Sequence, residues 1–287
     1  MNQSLADRTI EPKTTPHERQ LTVVKIGGAA GIDFGPLCDD IAALSRQGRR
    51  FIIVHGGSDA TTTLSRRLGL EPQFITSPSG HTSRRTDRAT LEAFQMACRG
   101  IVNQELVRRL VQSGVNAVGL SGLDARLWAG PRKAAVRAIE DGRVRIIRDD
   151  YTGAVERVDP RVLTTLLDAG FMPVVSPPAL SEACEPINVD ADRAAAQTAV
   201  ALGAQTLIML SNVPGVLRTA HDDTTLIRCV LRSGLASMDA VAQGRMKNKV
   251  LAAREALEGG VSRVIIGDAR AASPLSMALE GAGTVFA

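Results

Sequence analysis

Two short aliphatic runs, each emptying at once into paired glycines, constrain this chain more than any other feature. Leu21–Ile26 (LTVVKI) leads into Gly27-Gly28, and Phe51–Val54 (FIIV) leads into His55-Gly56-Gly57. Continuous β-branched runs without polar alternation belong to strands buried on both faces, which is the condition of a parallel sheet covered by helices. Between them, residues 34 to 47 repeat apolar positions at helical spacing and stop at Gly48. The order strand, turn, helix, strand, turn, helix predicts a three-layer α/β/α sandwich around a mostly parallel sheet. The composition agrees: hydrophobic residues make up 44% of the 287 and aromatics only 3%, so the core is aliphatic.

Further along, Ala89–Gln112 reads as one long helix, Ala117–Leu120 as a strand, and residues 128 to 158 as short strands around an Asp141-Gly142 hairpin. Pro160–Ala169, Asp192–Leu202 and Met246–Glu258 are helical, and Met172–Ser176, Thr206–Leu210 and Val264–Ile266 are strands. We expect a tail over residues 1–20, an N-terminal lobe over 21–182 and a C-terminal lobe over 183–287. The tail carries Pro12 and Pro16 and has no apolar core of a signal peptide. No apolar run approaches the roughly 20 residues of a membrane span. Cys38, Cys98, Cys184 and Cys229 show neither CxxC nor zinc spacing. These features point to a cytoplasmic protein with free thiols and no contact with membranes. The formal charge of +4 suits an anionic ligand or an acidic protein, and without an aromatic-rich basic stripe it does not point to nucleic acid.

The glycine pairs sit where ligands bind in open α/β sheets, off the carboxyl ends of strands. Gly27, Gly28, Gly56 and Gly57 would let backbone N–H groups approach a phosphate, with Lys25 supplying a mobile positive charge; ordinary glycine turns are the alternative. His55 is a general base or a structural residue, and the structural role is favoured if the nucleophile is a carboxylate, already ionised at neutral pH. Arg84, in the polar segment Ser83–Asp87, has the chemistry to grip a carboxylate, or else belongs to a solvated loop. Asp190 and Asp192 are helix caps or, for Asp192, a holder of lysines around a phosphate. Gly244–Lys249 opens a helix and places Met246 and Lys249 at its N-terminus, a place suited to phosphate.

Taken in order, VKIGG, HGG, the R-x-T segment at Arg84, N-x-x-x-D at Asn188–Asp192 and the late G-x-M-x-x-K at Gly244–Lys249 resemble the amino acid kinase family and its acetylglutamate-kinase-like branch. The segments EPQF (71–74), SPSGHTSRRTD (77–87), GLSGLD (119–124), DYTG (150–153), LSNVPG (210–215) and QGRMKNKV (243–250) are similar to the carrier-dependent kinases within that branch. The resemblance implies transfer of the γ-phosphoryl group of ATP to the side-chain carboxylate of L-2-aminoadipate or glutamate. That amino acid is joined through its amino group to an acidic LysW-type carrier protein. The resemblance implies catalytic roles for Lys25, Lys249 and Asp192, substrate contacts from Arg84 and Asn188, and nucleotide contacts from Ser211, Asn212, Gly215 and Met246. It also implies Mg²⁺ bridging phosphates without direct protein ligands, and a homodimer.

Asp190 departs from the Asn that many acetylglutamate kinases carry there, and an extra carboxylate would bear on local magnesium affinity. Arg132, Lys133, Arg143 and Arg145, in a basic stretch of the N-terminal lobe, are the expected carrier contacts. An N-acetylglutamate kinase and a non-catalytic nucleotide-binding regulator of the same fold are the alternatives.

Overall fold

The computed structural model describes residues 21–28, 31–78, 80, 82–140 and 142–287; the tail expected over residues 1–20 lies outside them. The first half of the chain runs β1 (Leu21–Ile26), α1 (Phe34–Arg46), β2 (Arg50–His55), α2 (Ser58–Arg67), β3 (Phe74–Thr76), β4 (Thr82–Arg84), α3 (Arg88–Gln95), α4 (Gln104–Gln112) and β5 (Ala117–Ser121). Then come β6 (Trp128–Ala129), the hairpin β7 (Val136–Glu140) and β8 (Arg143–Ile147), β9 (Arg157–Val158), α5 (Arg161–Asp168), β10 (Met172–Ser176), β11 (Ala179–Leu180) and β12 (Pro186–Ile187). The last part holds α6 (Ala191–Ala201), β13 (Thr206–Ser211), β14 (Cys229–Val230), α7 (Met238–Val241), α8 (Met246–Glu258), β15 (Arg263–Asp268), α9 (Pro274–Leu279) and β16 (Thr284–Phe286).

Eight strands form one sheet in the order β14-β16-β15-β13-β1-β2-β10-β5, parallel except where β16 runs against β15. The four strands β5, β10, β2 and β1 come from residues before 183, and the other four from residues after it. β1 therefore stands where the order turns from one half of the chain to the other, the position at which open α/β sheets bind ligands.

The two-residue period of β1 decides what its side chains meet. Val24 and Ile26 join a core with Leu37 and Ile41 of α1, Leu106 of α4 and Leu275 of α9. Val23 faces the other way, into a core with Ala195 and Ala199 of α6 and Val250 and Ala253 of α8. Lys25 shares the Val23 face, so it points at α6 and α8. The alanines of α6, fully buried at 194, 195, 196 and 199, let that helix close onto the strands.

The helix expected across Ala89–Gln112 is present but not uniform: Met96–Asn103, between α3 and α4, is wound as a π-helix. The wider turn aims Asn103 inward, where its Nδ2 sits 2.9 Å from both His55 Nε2 and the Val174 carbonyl. The expected hairpin forms as β7–β8, and a small sheet β12-β11-β6-β9 lies beside it in the chain.

Candidate active site

The two glycine turns meet at the carboxyl ends of adjacent strands. Gly56 N donates to the Ile26 carbonyl at 3.2 Å, Gly27 N to the Leu210 carbonyl at 2.9 Å, and Asp59 N to the Gly28 carbonyl at 2.9 Å. A Cβ on Gly28 would lie 2.5 Å from Gly57 N and 2.6 Å from the Gly56 carbonyl carbon, so glycine is required for this approach. The closeness of the two turns forms a backbone-lined cradle suited to anionic oxygens.

Above it, three charged side chains are buried together. Lys25 Nζ lies 2.8 Å from Asp192 Oδ1, and Lys249 Nζ lies 2.9 Å and 3.1 Å from the two oxygens of the same carboxylate. Lys25 is 5% exposed, Asp192 8% and Lys249 7%. A buried aliphatic at position 25 would contribute about 2 kcal/mol by the hydrophobic effect alone. A lysine there forgoes that and adds a desolvation cost, the kind of exception found at functional sites. Burial alone would raise the pKa of Asp192, but the two ammonium groups, Lys249 foremost, outweigh it and hold the carboxyl well below the usual range. Lys249 is lowered from its ordinary value because burial outweighs the attraction of Asp192, which Lys25 also claims. One carboxylate between two ammoniums leaves a net positive charge in a dry place.

The local sequence explains the alignment. Asp190 caps α6, its Oδ1 accepting from Asp192 N at 2.9 Å and Arg193 N at 3.0 Å. Its Oδ2 accepts from Asn248 Nδ2 at 2.6 Å, in the first turn of α8. Asp190 thus binds two helix starts together and sets Asp192 opposite Lys249, which gives this carboxylate a structural task. Arg193 repeats the link one turn on with a bidentate pair to Glu255. Sequence alone gives no signal for Asn248 beyond its place beside Lys249 in QGRMKNKV.

Arg84 ends β4 and is 8% exposed. Its Nη2 donates to the Ser58 carbonyl at 2.9 Å and Thr62 Oγ1 at 2.7 Å, while its Nη1 is buried with no partner. A buried guanidinium with one free fork position is arranged for an incoming carboxylate. Asn188 does not touch Arg84. It donates from Nδ2 to Thr86 Oγ1 at 2.9 Å, two residues beyond Arg84, and its backbone N bonds the Tyr151 carbonyl. The buried Asp150 carboxylate fastens the Thr86 and Thr152 backbone amides at 2.9 Å and 2.8 Å. Thr86 and Asp150, which the sequence shows only as members of the R-x-T and DYTG segments with no role of their own, connect the two expected substrate contacts.

His55 takes the structural role. It is fully buried, its Nδ1 lies 2.9 Å from the Gly56 carbonyl and its Nε2 faces Asn103, so neither nitrogen is free to take a proton. Burial lowers its pKa to about 4, against the raising effect of the Gly56 carbonyl. Asn103 is held in turn by Arg99 Nη1 at 2.7 Å, and Arg99 Nη2 reaches the Gly119 carbonyl.

On the other side of β1, Gly215 and Met246 line one cavity of about 140 Å³ with Val213, Leu217 and His221. Ser211 is buried with its hydroxyl unpartnered, and Asn212 is exposed on the turn leading to that cavity. Among the described residues no group of three or more His, Cys, Asp or Glu is placed to hold a metal. Of the expected carrier contacts, Lys133, Arg143 and Arg145 are exposed. Arg132 is turned inward: it stacks on Tyr151 at 3.8 Å and donates from Nε to the Asp150 carbonyl at 3.0 Å.

A sequence profile described as the amino acid kinase family matches residues 20–268. The chain belongs to the amino acid kinase family. Within it, the chain is 52% identical to a LysW-aminoadipate kinase of Deinococcus radiodurans over 265 residues, covering 92% of this chain and 91% of that one. It is 48% identical to a LysW-aminoadipate kinase of Thermus thermophilus, covering 92% and 99%. Among solved structures it resembles an N-acetylglutamate synthase of Neisseria gonorrhoeae complexed with coenzyme A and N-acetyl-glutamate. The TM-score is 0.74 at 28% identity, over 95% of this chain and 61% of that longer one. The sandwich expected from sequence is thus the fold of the family.

Proposed function

We propose that this chain transfers the γ-phosphoryl group of ATP to the side-chain carboxylate of L-2-aminoadipate, or of glutamate, carried by its amino group on an acidic LysW-type protein. The product is an acyl phosphate. The observation that carries the reading is the pair of buried lysines sharing Asp192 above the double glycine turn. Phosphoryl transfer asks for alignment and charge compensation rather than a covalent relay. The acceptor carboxylate is ionised at neutral pH and needs no base, in keeping with a neutral, fully engaged His55.

In this reading Arg84, through its free Nη1, and Asn188 hold the acceptor. Lys25 and the amides of Gly28 and Gly57 meet the migrating phosphoryl group. Lys249 meets charge on the ADP side, and Asp192 keeps both lysines in place. Gly215 and Met246 flank the nucleotide, with Ser211 and Asn212 on the adjoining turn. Mg²⁺ would ride on the phosphate oxygens and supply further neutralisation. We assign the acyl acceptor to residues 21–182, with Asn188 reaching it from just beyond that boundary, and ATP to residues 183–287.

The carrier has a physical reason to dock on the β7–β8 hairpin. The hairpin leads straight into Asp150 and Tyr151, which buttress Thr86 and Asn188. One of its faces presents Ile139, Val144 and Ile146, 44 to 56% exposed, beside the exposed Arg137, with Lys133 and Arg143 nearby in sequence. Apolar centres fringed by positive charge suit an acidic protein. A homodimer is favoured by a second exposed apolar set, Met96, Ile101 and Val111, on the helical run that precedes the edge strand β5. No described helix is long and apolar enough to cross a membrane, and four unbridged cysteines fit a cytoplasmic setting.

The test is hydroxylamine trapping of acyl phosphate with Mg²⁺ and ATP, supplying carrier-linked aminoadipate or free N-acetylglutamate. Hydroxamate formed only on the carrier supports the reading. Hydroxamate from the free acetylated amino acid replaces it with an arginine-type kinase, and none from either replaces it with the regulator.

A further inference from the structure

His55 is a fully buried titratable group at the glycine turns to which the phosphoryl-transfer scheme gives no task. Its hydrogen bonds fix where its proton sits. Arg99 Nη1 lies 2.7 Å from Asn103 Oδ1, and a guanidinium only donates, so that atom of the amide must be the oxygen. The amide nitrogen lies 2.9 Å from the Val174 carbonyl, which only accepts, and 2.9 Å from His55 Nε2. Asn103 Nδ2 therefore directs one hydrogen to each, and Nε2 of the ring is an acceptor. Burial, with the positive charges of Lys25 and Arg99, keeps the ring neutral, so it carries one proton, and that proton is on Nδ1. From there it is donated to the Gly56 carbonyl at 2.9 Å. The room for this relay depends on β5: a Cβ on Gly119 would lie 2.8 Å from Arg99 Nη1 and closer still to Asn103 Oδ1.

We propose that His55 is a positioning residue: the relay Arg99–Asn103–His55 turns the Gly56–Gly57 peptide so that the Gly57 N–H faces the phosphoryl group in transfer. In a trans peptide the C=O and the following N–H point in opposite directions. Holding the Gly56 carbonyl against the buried ring therefore turns the Gly57 N–H away from it. Gly57 N stands against the other glycine turn, 2.5 Å from where a Cβ on Gly28 would be, and no described residue accepts a hydrogen bond from it. A donor fixed in direction before the reaction needs no reorganisation when charge develops. The other tautomer, with the proton on Nε2, would set the Nδ1 lone pair against the Gly56 carbonyl oxygen and favour turning the peptide over. The kinetic role rests on the kinase reading; the tautomer and the peptide orientation do not.

Proton–nitrogen correlation spectra of the whole chain, labelled in histidine nitrogen, distinguish a protonated ring nitrogen from a bare one. The chain has four histidines, and the signals of His55 are those absent from His55→Asn. We expect a protonated Nδ1 and a bare Nε2; the reverse overturns the relay whatever reaction the chain performs. Two substitutions then separate the ring's two bonds. In His55→Gln the side-chain oxygen reaches the place of Nε2 and accepts from Asn103, but nothing donates to the Gly56 carbonyl. In His55→Asn the amide nitrogen stands in the place of Nδ1 and keeps that donor. Each variant forfeits one buried hydrogen bond, so a purely structural residue would lose stability and activity to the same extent in both. We expect His55→Gln to lower kcat about thirtyfold, less than the roughly hundredfold or more of removing such a donor outright, with KM for ATP and acceptor unchanged. His55→Asn should rescue kcat to within about threefold of the parent. Equal losses of kcat in the two variants at matched stability in urea, or a loss carried by KM, overturn the positioning role. A parent chain that makes no acyl phosphate fails the kinase reading instead, and the spectra alone then decide the relay.

Discussion

Replacing Asp192 by Asn preserves shape and removes the single negative charge that Lys25 and Lys249 share. Two unit charges roughly 3 Å apart interact by about 5.5 kcal/mol at an effective dielectric near 20. Removing one partner of a buried ion pair costs about 3–5 kcal/mol of stability. The lower end applies here, because Lys249 is already lowered by burial and can shed its proton once the carboxylate is gone. We therefore expect Asp192→Asn to lose about 3 kcal/mol of unfolding free energy in urea at neutral pH. With both lysines displaced or one neutral, kcat should fall by a few hundredfold, corresponding to about 3–4 kcal/mol at 1.36 kcal/mol per decade. The pH dependence has a fixed sign. A carboxyl held below its unfolded pKa contributes stability above that value, near 4, and loses it as pH falls toward the folded pKa. The gap between parent and variant should be full above about pH 4 and close below it. A variant that keeps kcat within threefold, or whose stability deficit does not shrink in acid, would refute the shared-carboxylate argument.

Gly28→Ala places a Cβ 2.5 Å from Gly57 N and should abolish phosphoryl transfer while far-UV circular dichroism stays that of the parent; retained activity would mean the two turns need not touch. Lys249 acts as a cation and its pKa is lowered by burial, so kcat should decline on the alkaline side before the ordinary lysine value of about 10.4. Stability should not fall in that window, because a base with a lowered folded pKa gains stability as pH rises through it; a kcat plateau beyond about pH 10.4 would contradict this. His55 gives an acid effect of the same sign: neutral in the fold with a pKa of about 4 against 6.5, it should lose about 3 kcal/mol of stability as pH drops from 6.5 to 4. Asparagine at position 55 should remove most of that slope, as measured by urea unfolding at several pH values.

Much of this molecule is readable in its sequence because its strong signals are local. The LTVVKI and FIIV strands, their glycine turns and the α8 helix at Met246–Glu258 follow from periodicity and punctuation alone. Lys25, Asp192 and Lys249 stand out as a set only through the ordered motifs, since nothing local says that residues 57 and 167 positions from Lys249 and Lys25 meet at one carboxylate. The roles of Asn248, Thr86, Asp150 and Asn103 are not legible in the sequence, although the first three fall within the quoted QGRMKNKV, R-x-T and DYTG segments. Each is an ordinary polar residue whose partner lies far off in the chain, from 48 positions for Asn103–His55 to 102 for Asn188–Thr86. The π-helical turn at Met96–Asn103 shares its hydrophobic pattern with an α-helix, so periodicity could not separate them. Arg132 looked like its exposed neighbours because composition does not reveal that Tyr151 lies beneath it.

The central claim is tested most directly by intact-mass spectrometry of the carrier–aminoadipate conjugate after incubation with this chain, Mg²⁺ and ATP. The account predicts the mass gain of one phosphoryl group, removed by hydroxylamine, and no gain with Lys25→Ala. An unmodified conjugate, with N-acetylglutamate phosphorylated in a parallel reaction, would contradict it.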